Sequence, residues 1–510
     1  MKAYRRERRR IRQRKQRILR RQQQARYQVR EKPVIAGGRA QYEVAERVRG
    51  TAHGGIGAMH ALVERLGLAA AIDSRLNLLQ VHRPYFESDH VLNLAYNALC
   101  HGQRLDDIEL RRSDEVFLDA IGAASLPDPT TAGDFCRRFS ESDIRLLMEA
   151  FDEARQRVWQ QQSEDFFARA DLHVDGSLVE TTGECKQGMS LSYKGLWGYH
   201  PLIVSLANTQ EVLRVRNRPG NRPSHEAAWQ DLDESIALCR RAGFRNIRMT
   251  GDTDFTQTAH LDRWNEAGDV TFVFGMDCSP TLHVLADEIP ADAFRELQRR
   301  PKYQVQTTPR TKPERVKEQV VIEKGYRNIR LQSEHVAEIE YSPTKCKQTY
   351  RLIVLRKDLS IEERQQKLFD DYRYFFYLTN DRDSTAEEIV FTANARCDQE
   401  NLIAQLKDQR ALHAPVNTLN ANWAWMAMVS LAWNLTRWWA WLLPPGKGRW
   451  KERHNAENHQ VRRMEFRTFL QAFLSQPAQV LSTGRRRVFR LLSYNPWQPV
   501  LFRWLQALRL

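Results

Sequence analysis

Apolar positions recur at helical spacing through the first third of the chain and then switch to the pattern of strands. Met59, Leu62, Val63 and Leu66 stand at i, i+3, i+4 and i+7, and Gly67 supplies a stop. Ser88 is placed to cap a second helix carrying Val91, Leu94, Ala95 and Ala98, closed by Gly102. Pro127–Thr131 opens a third, with Thr131 and Asp134 spaced like a capping box. Residues 50–160 therefore predict a helical bundle. From about residue 168 three successive strands are expected, over Leu172–Val179, Tyr199–Leu206 and Val212–Arg216. A helix (His225–Arg241), a strand (Ile247–Gly251), a helix (Gln257–Glu266) and a strand (Val270–Gly275) follow. Three strands and then alternating βα units predict an α/β sheet with helices packed on it.

Residues 280–380 change character again. Strand-like runs (Gln319–Ile322, Ala337–Tyr341, Tyr350–Leu355, Tyr374–Leu378) alternate with the basic residues Arg299, Arg300, Lys302, Arg310, Lys312, Arg315 and Lys317. This reads as a β-rich insertion. Thr385–His413 predicts one long helical segment, and helices are expected from there to the end. The expected divisions are a basic arm and linker (1–49), helices (50–160), a sheet (165–279), the insertion (280–380), a return to the sheet's layer (381–415) and C-terminal helices (416–510).

Residues 423–443, WAWMAMVSLAWNLTRWWAWLL, are apolar over about a membrane-spanning length. Asn434 and Arg437 interrupt the run and Pro444 and Pro445 end it, so a buried helix is expected rather than a span. The tryptophans here are expected in a core.

Charge adds a partner. Fourteen basic residues and one acid, Glu7, fall within residues 1–30, so most of the net charge of +15 sits in one arm. Such an arm is either a solvated tail or a phosphate-binding one that gains affinity by releasing counterions, and an acidic membrane surface would attract the same charges. The C-terminal basic runs (Lys447, Arg449, Lys451, Arg453; Arg485, Arg486, Arg487, Arg490) invite the same choice. Seven scattered cysteines without a CxxC spacing argue against a disulfide framework or a zinc site and for a reducing cytoplasm. No apolar run follows the N-terminal basic residues, so a secretory signal is not expected.

Three carboxylates stand where chemistry is plausible. Asp175 interrupts an apolar strand context and Gly176 follows it; an acid there costs stability unless paired or bound to a metal. Asp252 ends the strand Ile247–Gly251, where ligand sites of open α/β sheets lie, with Asp254 as a rival and an N-cap as the plain alternative. Glu400 shares a helical face with Arg396 and Lys407, a trio that a solvated, salt-bridged face would equally explain. Phosphodiester cleavage with two divalent ions needs carboxylates that converge, and the cations keep them ionised.

The motifs together resemble the DDE transposases of bacterial insertion sequences, in the branch that inserts a β domain between the second Asp and the Glu. DGSLVETTGECKQG and YKGLWGYHPLIV resemble the family's first-Asp strand and its KG…GYHPL segment. RNRPGNRPSHEA resembles its R-x-G-N turn, and IRMTGDTDF its R-x-D-x-x-F motif, which places the second acid on Asp252. RCDQENLIAQLK resembles the R-x3-E-x6-K part of the Tyr-Arg-Glu-Lys signature, with Arg396, Glu400 and Lys407 aligned. The signature's Tyr falls on Ala393 here.

The resemblance implies an RNase H-like mixed sheet flanked by helices, with Asp175, Asp252 and Glu400 as catalytic metal ligands for two Mg²⁺ ions, Mn²⁺ substituting. It also implies Arg396 and Lys407 on phosphates near the cut, and a homodimer synapsing two element ends. The double-stranded partners would be the terminal inverted repeats and target DNA, in a bacterial cytoplasm at the nucleoid, with no membrane. Arg299, Arg300, Lys302, Arg310 and Lys312 of the insertion would grip terminal DNA through phosphates. Two other classes compete: a catalytically silent DNA-binding protein, which Ala393 favours, and a peripheral membrane protein, which leaves the carboxylate motifs unexplained.

Overall fold

Three hairpin-linked strands and two βα units meet in one nine-stranded sheet. The computed structural model describes residues 2–26, 40–44, 48–82, 84–299, 327–363, 366–483 and 486–508. In chain order the sheet's strands are β1 (Ala170–Gly176), β2 (Leu202–Leu206), β3 (Glu211–Arg216), β4 (Ile247–Gly251), β5 (Val270–Met276), β6 (Arg295–Glu296), β7 (Arg327–Tyr341), β8 (Tyr350–Glu363) and β9 (Gln366–Thr379). Their spatial order is β6-β7-β8-β9-β5-β4-β1-β2-β3. β1, β4 and β5 run parallel, β2 returns antiparallel beside β1, and β3 pairs antiparallel with β2 at the edge, as an RNase H-like core requires. The β-rich segment between the second Asp and the Glu does not stand apart from this core. Its last strand β9 pairs antiparallel with β5, so the insertion lengthens the same sheet.

The sheet buries its two faces against different helices. Leu172, Val174, Met249, Phe272 and Phe274 point to one side and pack with Leu232, Ile236, Leu261 and Trp264 of the helices Ala228–Ala242 and Thr258–Glu266. On the other side Val273 meets Ile389 and Val390 of the helix Ala386–Asn394. The helix Cys397–Asp408 lies over β1 and β2 on that side, held by Gln399, which donates to the Ile203 carbonyl (3.1 Å) and accepts from Ser205.

The membrane-length run is the middle of the molecule. In the helix Leu419–Trp441 every residue from Ala421 to Ala440 is buried. It shares one core with the helices Glu87–Leu99 and Glu141–Trp159 of the N-terminal region. Arg437 is fully buried there but satisfied, donating to the carbonyls of Arg462 (2.8 Å) and Met464 (2.9 Å) with its guanidinium 4.4 Å from the Trp433 ring. Among the described residues no helix is long and apolar enough to cross a membrane. Trp423, Trp425, Trp433, Trp438 and Trp439 are core residues, as expected, and Trp441 is partly buried against the same core. Glu211 of β3, fully buried, ties the layers together: it accepts from Arg155 (2.8 Å) and Trp159 (2.8 Å) of one helix and Trp438 (2.7 Å) of another. A carboxylate accepting three N–H bonds replaces its lost hydration with charge-assisted partners.

Several local expectations are corrected. Ser88 does not cap its helix. The helix Glu87–Leu99 starts after Phe86, whose N–H donates to Asp89 (2.9 Å), while Ser88 donates to Asp73. Asp128, not Thr131, caps the helix Pro129–Arg137, because its carboxylate accepts both the backbone N–H and the hydroxyl of Thr131. The segment from Thr385 is two helices, Ala386–Asn394 and Cys397–Asp408, with Ala395 and Arg396 between them. The chain end is not all helical: strands Ala478–Thr483 and Arg486–Leu491 form a hairpin that pairs with Gly50–Thr51. The arm is a helix, Lys2–Arg26, anchored where Arg14 donates to the carbonyls of Leu491 (3.0 Å) and Ser493 (3.2 Å). The expected strand Gln319–Ile322 and the basic residues Arg300, Lys302, Arg310, Lys312, Arg315 and Lys317 lie outside the described residues.

Candidate active site

Parallel pairing puts the first two acids side by side. His173 of β1 sits opposite Thr250 of β4, so Asp175 and Asp252, each two residues further on, reach the carboxyl ends of neighbouring strands together. Asp175 turns its Oδ1 to the N–H of Gly176 (2.7 Å). Gly176 is required by the crowding there, since a Cβ would fall 2.7 Å from Nε2 of His200. Asp252 fills two roles at once. Its Oδ1 accepts from the N–H of Asp254 (3.1 Å), capping the short helical turn Thr253–Phe255, while its Oδ2 faces the site.

The third acid arrives on the helix over the opposite face. Arg396 occupies the position before that helix, and its guanidinium meets all three carboxylates: Asp252 Oδ2 at 3.3 Å, Asp175 Oδ2 at 3.6 Å and Glu400 Oε1 at 3.7 Å. The break at Ala395–Arg396 makes this possible. Both residues stay in the right-handed region (φ −63°, ψ −12° and φ −56°, ψ −19°), so the turn tightens without unwinding and redirects the arginine. Three acids from β1, the end of β4 and a helix on the opposite layer thus share one cation.

The electrostatics follow from that crowding. Burial pushes Asp175 up to about 6, and the neighbouring Asp252 and Glu400 charges add to this while Arg396 and the Gly176 N–H oppose it. Asp252 is raised too, first by burial, with Arg396 pulling it down and Asp254 and Asp277 pushing it up. Lys407 joins from the same helix as Glu400. Loss of hydration lowers its ammonium pKa, Lys194 lowers it further, and Asp175 counters both.

Asp175, Asp252, Glu400, Arg396 and Lys407 are therefore neighbours. Arg299 is not part of that group of acids: it pairs with Glu334 of β7 (Nη2 to Oε1, 2.9 Å), which partly neutralises it. Asp254 contributes charge that raises Asp252, whereas Asp252 itself meets Arg396. Among the described residues no group of three or more His, Cys, Asp or Glu is drawn tightly enough to hold an ion as it stands. Each carboxylate instead faces the guanidinium, which takes the place a cation would need.

Two supporting residues inside the recognised motifs escaped sequence reasoning. His200 of the GYHPL segment packs on Gly176 and bonds through Nδ1 to the Arg222 carbonyl (2.9 Å), with its pKa lowered by burial. Arg218 of the R-x-G-N turn is buried and knits the loop by donating to the carbonyls of His200 (2.9 Å), Pro223 (3.1 Å), Ser224 (2.7 Å) and Glu226 (2.9 Å). Its position in a turn motif was the available signal, and the carbonyl cluster it serves exists only in three dimensions.

The family model described as transposase DDE domain group 1 matches residues 47–510. No curated protein matches the chain. Among solved structures, a piggyBac transposase synaptic complex with hairpin DNA is similar at 13% identity and a TM-score of 0.36, covering 81% of each chain. A likeness of that degree carries no argument about the site.

Proposed function

The chain belongs to the transposase DDE domain group 1 family, and from that premise we propose that Asp175, Asp252 and Glu400 are its catalytic carboxylates in cut-and-paste transposition of an insertion sequence. As a member of the family it is a DNA transposase, an endonuclease and strand transferase. The observation that carries the assignment is the convergence of those three acids, from separate elements, on the single cation Arg396.

An all-oxygen, all-carboxylate donor set suits hard divalent cations. Asp175's raised pKa fits the same need, because a buried acid beside Asp252 requires more positive charge than one arginine supplies. Mg²⁺ is the ion proposed, as a pair, with Mn²⁺ substituting. Bound there, the ions would stabilise the leaving oxygen and lower the pKa of the attacking water or hydroxyl. Asp175 and Asp252 would hold both ions and Glu400 would complete the second position. Arg396, released from the acids, would turn to DNA phosphates together with Lys407.

In the first step a water oxygen bonds to phosphorus at the element end and the bond to the 3′ oxygen breaks, leaving a 3′-hydroxyl. That hydroxyl then attacks a target phosphodiester in line and displaces the target's own 3′ oxygen. The helices of 50–160 are assigned to DNA binding and dimerisation. The insertion's Arg299, Arg300, Lys302, Arg310 and Lys312 are assigned to terminal DNA. Two protomers would synapse two inverted repeats in the bacterial cytoplasm, at the nucleoid.

The test is cleavage of labelled duplex carrying the flanking inverted repeats, with Mg²⁺, by wild type and by Glu400→Ala. Nicking at the repeat ends that is lost in the variant while DNA binding survives supports the assignment. Binding without cleavage by either protein, across metals and repeat ends, identifies a silent DNA-binding protein instead.

A further inference from the structure

Tyr377 of β9 stands level with the acids and has no assigned task. Register carries the level across four strands: Asp175 and Asp252 end neighbouring strands, Asp252 follows Gly251, which pairs with Phe274, and the next residue, Gly275, pairs with Tyr377. The same pairings put Tyr377, Val273, Thr250, His173 and Asp175 on one face of the sheet, the face that the Glu400 helix covers.

Gly275 lets the Asp252–Thr253 backbone pack closely onto the residue that pairs with Tyr377. A Cβ on it would sit 3.0 Å from the backbone nitrogen of Thr253 and 3.3 Å from the carbonyl carbon of Asp252. On its other side the ring packs on the same apolar cluster as Ala393, the helix position three residues before Arg396.

The hydroxyl is left for something else. Among the described residues it has no hydrogen-bond partner, although the side chain is partly buried. Burial raises its pKa, while Arg299 and Arg396 pull it down and Glu334 opposes them, so the phenol lies within reach of two guanidinium fields. A neutral O–H donor set among arginines, beside acids that have no use for a further acceptor, suits a phosphate oxygen.

We propose that Tyr377, together with Arg396, forms a subsite that binds a phosphodiester of the DNA strand adjoining the cut and so positions it against the carboxylates. The inference rests on the assignment of Asp175, Asp252 and Glu400 above. Tyr377 is a substrate-binding residue in this scheme, supplied by the insertion's last strand, while the helix before the one that carries Glu400 has alanine at position 393.

The experiment compares wild type, Tyr377→Phe and Glu400→Ala on duplexes in which one phosphate at a time near the repeat end is replaced by methylphosphonate. Removing one hydroxyl from a partly buried ring should leave the unfolding midpoint and Mn²⁺ affinity unchanged while lowering kcat/KM for cleavage about tenfold or more. One methylphosphonate position should slow wild type by a similar factor and leave the Tyr377→Phe variant little further affected, because the partner is already gone. Wild-type cleavage by Tyr377→Phe overturns the proposal, and so do losses that simply multiply at every phosphate position. Cleavage retained by Glu400→Ala would instead overturn the carboxylate assignment.

Discussion

Asp175→Asn should stabilise the metal-free protein, and the size of the gain follows from its pKa. The native carboxyl titrates near 6 against an ordinary 3.8, and its side chain is only 16% exposed. A raised native pKa means that ionisation disfavours the fold. The penalty is absent below the unfolded value, develops as pH rises from 3.8 through about 6, and is complete above that. At 1.36 kcal/mol per unit the full penalty is about 3 kcal/mol, and about half of it is present at pH 5. Asparagine keeps the acceptor for the Gly176 N–H and cannot ionise, so it escapes the penalty. Urea unfolding in EDTA at pH 8 and pH 5 gives the comparison, with midpoint shift and slope converted to free energy. Saturating Mg²⁺ should narrow the difference: wild type gains about 2.7 kcal/mol at one hundred times its dissociation constant, and the variant gains less. A variant no more stable than wild type at pH 8 without metal, or one whose gain is the same at pH 5, would refute the reasoning.

Three other outcomes are expected. Arg396→Gln removes a cation that lowers the Asp175 and Asp252 pKa values, so the pH midpoint for Mn²⁺ binding should move upward; an unmoved midpoint by calorimetry would deny the guanidinium its role. Glu211→Ala leaves Arg155 and two indole N–H groups without their buried acceptor and should cost about 3–5 kcal/mol, read as a lower urea midpoint and soluble yield. Glu211→Gln should cost less than Glu211→Ala. Gly55→Ala would place a Cβ 1.9 Å from the Phe473 carbonyl oxygen and should lower the thermal midpoint, whereas at Gly243, with open space around it, Ala introduces strain only through its φ of 102°.

The parts of the fold legible in the sequence are those where local pattern and tertiary need agree. Ile247–Gly251 and Val270–Met276 read as strands because short apolar runs between helical segments have few alternatives. The long apolar run read as a buried helix because Arg437 cannot be left in lipid and can be satisfied by carbonyls. Misread elements had a second partner invisible locally. Ser88 fits a cap but is claimed by Asp73, fifteen residues back. The helix break at Ala395–Arg396 contains neither glycine nor proline, so propensity gave no warning. The C-terminal hairpin depends on Gly50–Thr51, more than four hundred residues away, for its third strand.

The site divides along the same line. Asp175 could be picked out because an acid interrupts an apolar strand there, and Asp252 because the end of the strand Ile247–Gly251 is visible in the apolar pattern. That they are neighbours depends on parallel pairing of β1 with β4, which alternating βα units make the natural arrangement. Arg396 could be placed near Glu400 by helical spacing, yet its contact with all three acids needs the tightened turn, which only the assembled layers impose. Tyr377 is the extreme case. Its strand was readable, but its level relative to Asp252 depends on an antiparallel register between segments a hundred residues apart, with Gly275 between them. One-residue slippage would turn the phenol to the opposite face, toward Phe376's neighbours in the core. The structure therefore makes the insertion more than an accessory grip: by pairing with β5 it delivers a hydroxyl to the row of acids that the helix after it completes.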